Sequence, residues 1–122
     1  MTTIRFLWPL ALALLAAASS AQAPAVAAPV KSQVIEVALQ NGRAPAAQNT
    51  LRVRQHDAVE LRWRSDKAIE LHLHGYDILA SAAPDSPATM RFGARLPGRF
   101  PVSEHSKGAH HHRVIVYLEV HP

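Results

Sequence analysis

Eight of the 122 residues are histidine and none is cysteine. Two of the histidines, His72 and His74, lie two apart where apolar and polar residues alternate. Four more, His105, His110, His111 and His112, crowd into a short stretch near the C-terminus. Neutral imidazole is a ligand for copper and zinc. On a strand, residues two apart project from one face, with Cα atoms about 6.5 Å apart at ~3.3 Å per residue. Two imidazoles at that spacing reach a common ion through bonds of about 2.0–2.1 Å. Further ligands must come from elsewhere in the chain. Asp77 and Glu104 are the carboxylates expected to orient ring nitrogens from behind. Three or four imidazoles prefer Cu(II) to Zn(II), and zinc is the other ion such donors accept. His111 and His112 read equally as ligands or as solvated loop residues. His56, in a turn, and His121, near the terminus, read as surface residues.

The chemistry that is missing narrows the field. Without cysteine there are no disulfides, thiolate nucleophiles or iron–sulfur clusters. No Ser/His/Asp order, phosphate-binding loop or pair of carboxylates stands out, so no catalytic residue is assigned and the chain is read as a non-enzyme. A three-histidine metal with an open position could activate water, which leaves a small zinc hydrolase as a third-ranked reading.

The elements that must carry these histidines are strands. Val59, Leu61 and Trp63 alternate with Glu60, Arg62 and Arg64; Ile69, Leu71 and Leu73 alternate with Glu70, His72 and His74; Val114, Val116, Leu118 and Val120 face one way near the end. Segments around Ile35–Leu39, Leu51–Val53, Met90–Phe92 and Phe100–Val102 behave likewise, and residues 80–87 ("ASAAPDSP") read as a loop. About seven short strands with a turn signal every 8–12 residues predict an all-β, single antiparallel β-sandwich with one wet and one buried face per strand. Trp63 is expected at its centre. Gly75 is expected to bend the chain after the His-bearing strand, and Tyr76 to pack.

Residues 1–23 read as a signal peptide. Arg5 is followed by an apolar run over residues 6–18, too short to cross a bilayer comfortably, and then by small residues up to a cleavage point. Residues 24–32 read as a flexible Pro/Ala linker, and 33–122 as the domain. No later stretch is apolar enough to span a membrane, so the processed chain is expected in the periplasm or secreted, as a monomer. The formal charge is +4, but the arginines are spread among the strands. Nucleic-acid binding shows a clustered basic stripe instead, so the partners expected are a metal ion and a periplasmic protein.

Three stretches resemble the cupredoxins, the Greek-key sandwiches that hold copper in blue electron-transfer proteins. "VIEVALQNGRAPAAQNTLRVRQHDAVELRW" resembles the family's opening, with Gln55-His56-Asp57 where Gly-Asp is more usual. "HLHGYD" resembles the segment of the first ligand histidine, His72 to Asp77 fitting its His-x-x-x-x-Asp form. "LPGRFPVSEH" resembles the P-G-x-Y-x-C-x-x-H segment, with Val102 for the cysteine and His105 for the second histidine. The family's axial sulfur falls near His110. The resemblance implies a cupredoxin-like fold in which the loop from His105 onward lies at the end that holds His74. The metal ligands it supports are His72, His74, His105 and His110. A group of exported cupredoxin-like proteins with "HLHGYD" and a final "YLEVHP" is similar, and implies a periplasmic copper role. Without the thiolate, blue-copper electron transfer is not expected. The expected function is copper binding, storage or delivery, and the alternative is a metal-free sandwich serving as an interaction or accessory module.

Overall fold

The computed structural model describes residues 30–105 and 112–122. The expected signal peptide, most of the expected linker, and His110 and His111 lie outside the described residues. Eight strands follow in order: β1 Ser32–Leu39, β2 Thr50–Arg54, β3 Ala58–Ser65, β4 Ile69–Leu73, β5 Ile78–Ala82, β6 Ala88–Gly93, β7 Gly98–Glu104 and β8 Arg113–His121. They form a three-stranded sheet, β1-β3-β6, and a five-stranded sheet, β2-β8-β7-β4-β5. Among the described residues no helix is long and apolar enough to cross a membrane.

Alternation decides which face of each strand is inside. Leu61, Trp63, Leu71, Leu73, Met90 and Leu118 are among the largest fully buried side chains. At roughly 1.5–3 kcal/mol for each large apolar side chain removed from water, this core supplies the stability that disulfides give many exported domains. Trp63 is wholly buried, as expected of the central aromatic.

Three local features differ from the sequence expectation or sharpen it. Residues 78–82, partly assigned to a loop, are strand β5, paired antiparallel with β4 from Leu73↔Ile78 to Ile69↔Ala82. β5 opens on the adjacent apolar pair Ile78-Leu79 and continues with small residues to Ala82, which gives only a weak period-two signal; the backbone ladder with β4 fixes its strand conformation. Not every pair is antiparallel: β1–β3 and β2–β8 run parallel, since each joins strands that the chain reaches by crossing between sheets. Finally, His56, where Gly is more usual, has φ 72. That left-handed conformation explains the preference for Gly there, and His is among the residues enriched in it.

The turn after β4 positions the site. Gly75 has φ 82 and Asp77 φ 56. A side chain on Gly75 would run into the Phe100 ring. Tyr76 packs at 4.8 Å from Phe92 and 5.1 Å from Phe100, and its hydroxyl both accepts from the Leu96 amide and donates to the Leu96 carbonyl.

Candidate metal centre

With Ile69, Leu71 and Leu73 turned into the core, Glu70 and His72 stand on the outer face of the five-stranded sheet. His74 follows on the same side, its amide donating to the Pro101 carbonyl of β7 at 3.0 Å. The His72 and His74 rings are 4.2 Å apart, centre to centre. Next to β4, β7 continues with Ser103 opposite His72 and Glu104 opposite Leu71. One residue on, the His105 amide donates to the Glu70 carbonyl at 2.7 Å. His112 immediately precedes β8. The ring centres lie 6.3 Å apart for His72–His105, 5.5 Å for His105–His112 and 6.3 Å for His74–His112. Four imidazoles from β4, the end of β7 and the start of β8 thus form a closed circuit.

An ion pair secures the foot of the loop between two of them. Arg113 donates to Glu104 at 2.7 Å and to the Gly42 carbonyl at 3.0 Å, and Lys67 stands 3.8 Å from Glu104. Glu104 and Arg113 are cross-strand partners, so the clasp ties together the residue before His105 and the residue after His112.

Carboxylates also back the rings. His72 Nε2 is 2.9 Å from Asp77 Oδ1 and His105 Nε2 is 3.7 Å from Glu70 Oε1. The other ring nitrogen of His105, Nδ1, is buried and has no hydrogen-bond partner among the described residues. A buried ring nitrogen with nothing to bond is costly unless a ligand meets it. Burial first, then the neighbouring charges of His72 and His112, hold His74 below the usual imidazole range, against the opposite pull of Asp77. The folded protein therefore binds this proton less readily than the unfolded chain. Stability is full above an ordinary imidazole pKa of about 6.5 and falls as pH drops below it. The urea midpoint of the metal-free protein is expected to decline between pH 7.5 and 5.5, and His74→Gln to shrink that decline. An equal decline in the variant would assign the acid sensitivity to other groups.

Three of the four expected ligands, His72, His74 and His105, are brought together; His110 lies outside the described residues. His112, left open by the sequence, completes the circuit. Of the two expected carboxylates, Asp77 backs His72, but Glu104 is taken by Arg113. Glu70 stands in its place, and its signal was the period-two run Glu70-x-His72-x-His74. His56 and His121 are exposed, as expected, and His121 lies 3.4 Å from Glu119. Val102, which the sequence resemblance sets at the thiolate position, is fully buried opposite Leu73. It faces the core, while the imidazoles lie on the other side of the sheet. Ser103 stands opposite His72, which Asp77 backs, but only 2% of it is exposed, too little for a nucleophile to meet a substrate.

The donor set fits Cu(II) or Zn(II): neutral imidazoles with carboxylates behind them. The single methionine past residue 1, Met90, is buried in β6 of the other sheet, so no sulfur joins the set. Two imidazoles side by side on one ion hold their ring centres about 4.4–5.2 Å apart, and two on opposite sides about 6.3–6.5 Å, given metal–nitrogen bonds of ~2.0–2.1 Å. The His72–His74 pair is slightly closer than adjacent ligands, and the 6.3 Å sides match ligands on opposite sides of an ion rather than neighbouring ones. No three His, Cys, Asp or Glu side chains among the described residues are drawn together tightly enough to hold an ion. The rings are gathered, and closing on an ion takes further side-chain movement.

No protein-family profile and no curated protein matches the sequence. Solved structures do. A chain of a heme-copper terminal oxidase dimer superposes with a TM-score of 0.62 at 19% identity, over 74% of this chain and 64% of that one. A copper binding protein in its apo form gives 0.58 at 9% identity, over 76% and 91%. A multi-copper oxidase from Pseudomonas Thermotolerans gives 0.55 at 16% identity, over 76% and 30%. The match thus spans less than two thirds of either oxidase chain. At these identities the likeness is one of fold, and the chain is an all-β, cupredoxin-like sandwich.

Proposed function

We propose that this chain is an exported, monomeric copper-binding protein that stores or delivers the ion in the periplasm and performs neither electron transfer nor catalysis. The observation that carries the reading is the circuit of His72, His74, His105 and His112 on one face of a cupredoxin-like sandwich. His110, on the same loop, remains a candidate ligand. A bound copper ion would supply the Lewis acidity that neutral imidazoles recognise. The chain's own residues present nitrogen donors and back two of them with carboxylates. Strands β4 and β7 and the Glu104–Arg113 clasp keep the donors near one another. The apo copper binding protein and the oxidases that share the fold support copper over zinc, as does the Irving–Williams order. Export rests on the signal-like residues 1–23.

The absence, among the described residues, of three side chains drawn together tightly enough to hold an ion favours one second reading, a metal-free interaction module whose histidines serve as a polar surface. Calorimetric titration of residues 24–122 with Cu(II) and Zn(II) separates the two. A built site takes up one tight equivalent, Cu(II) more strongly than Zn(II), and His56→Ala leaves it unchanged. Several weak equivalents, or none, would favour the interaction module.

A further inference from the structure

The turn between β4 and β5 is bent in a way that a casual surface ion pair does not need. Both Gly75 and Asp77 take left-handed backbone angles, φ 82 and φ 56. Asp77 is 92% exposed in its side chain, yet its Oδ1 lies 2.9 Å from His72 Nε2. A carboxylate only accepts, so the ring nitrogen facing it carries the proton. The lone pair of a neutral His72 ring then resides on Nδ1. The same polarity recurs at His105, on another strand. Its Nε2 faces Glu70 at 3.7 Å, a gap that a small shift closes, and its Nδ1 is buried without a partner among the described residues. Two histidines from different elements thus turn the same edge towards a carboxylate.

We infer that Asp77 and Glu70 are positioning residues that hold His72 and His105 with Nε2 protonated and outward, so that each ring offers Nδ1 to a divalent metal ion. The inference rests on the metal-binding reading above and specifies which atoms do the binding. Free imidazole lacks a fixed orientation, and the carboxylates supply one while raising the basicity of the ligand nitrogen. Asp77 does this at close range and Glu70 at longer range, so the effect of Asp77 is the larger.

The test is nitrogen NMR of protein labelled with ¹⁵N-histidine at pH 8, with Zn(II) as a diamagnetic probe. In metal-free protein the His72 Nε2 proton is expected to exchange slowly enough with water to be seen, and to vanish in Asp77→Gly, which tolerates the left-handed backbone. On adding Zn(II), Nδ1 of His72 and of His105 should shift while Nε2 stays protonated. The Kd for Zn(II) should rise about 10–100-fold in Asp77→Gly, with Asp77→Asn in between because it keeps an acceptor. A Zn(II)-induced shift at Nε2, or a wild-type Kd in Asp77→Gly, overturns the inference and leaves the proposed function standing. A wild-type protein that takes up neither Zn(II) nor Cu(II) overturns both.

Discussion

Replacing His74 with Ala is expected to weaken Cu(II) binding by at least about 100-fold, more than the 10–100-fold typical when only a residue behind a ligand is lost. His74 joins the closest pair in the circuit, 4.2 Å from His72, and also neighbours His112. It is held with its proton off more readily than an ordinary histidine, so at neutral pH the metal displaces little proton from it. The substitution leaves the fold intact, because the contact that anchors residue 74 to β7 is its backbone amide on the Pro101 carbonyl. Lost affinity would therefore report a lost ligand. Calorimetry or competition with a chelator of known affinity measures it, and His105→Ala should fall in the same direction. Wild-type affinity in both variants would remove the circuit as the binding site.

The second large effect is on stability. Gly75→Ala forces a side chain into a backbone at φ 82 and against the Phe100 ring. The left-handed conformation costs about 1–2 kcal/mol for a residue with a Cβ, and overpacking typically adds 1–3 kcal/mol. Phe100 has little room to retreat, because Tyr76 packs on it edge to face. We expect a loss of about 2–5 kcal/mol, seen as a fall of roughly 10–30 °C in Tm for a domain of this size. Gly93→Ala is the comparison: its nearest neighbour is the Arg95 side chain at 3.9 Å and its φ is ordinary. A melting temperature for Gly75→Ala equal to that of Gly93→Ala would show that the turn relaxes freely. Because residues 74–77 carry both His74 and Asp77, the same substitution should weaken metal binding as well.

Much of this arrangement could be read from residue order. The alternation in Val59-Leu61-Trp63 and Ile69-Leu71-Leu73 settles which side chains are inside, and hence that His72 and His74 share the outside. What alternation leaves open is which strand lies beside which. The parallel pairs β1–β3 and β2–β8, and the strand character of Ile78–Ala82, come from backbone pairing with distant segments. The site divides in the same way. His72 and His74 announce themselves by spacing, and Glu70 follows the same period. The choice among His110, His111 and His112 depends on where the loop joins β8, and that is set by the Glu104↔Arg113 register. Which way Val102 faces is likewise open in the sequence, because matching a motif residue by residue carries no information about side-chain direction.

That orientation of Val102 has a bearing on how the fold fares without a metal ion. Zinc fingers collapse when stripped, since the ion is their core. Here Val102 meets Leu73 beneath the imidazoles and fills the interior with hydrocarbon. An emptied molecule keeps its packing and shows proteases no loosened segment at this point. On the proposed reading it would outlast the ion it gives up and could be filled again, so one polypeptide would serve many ions.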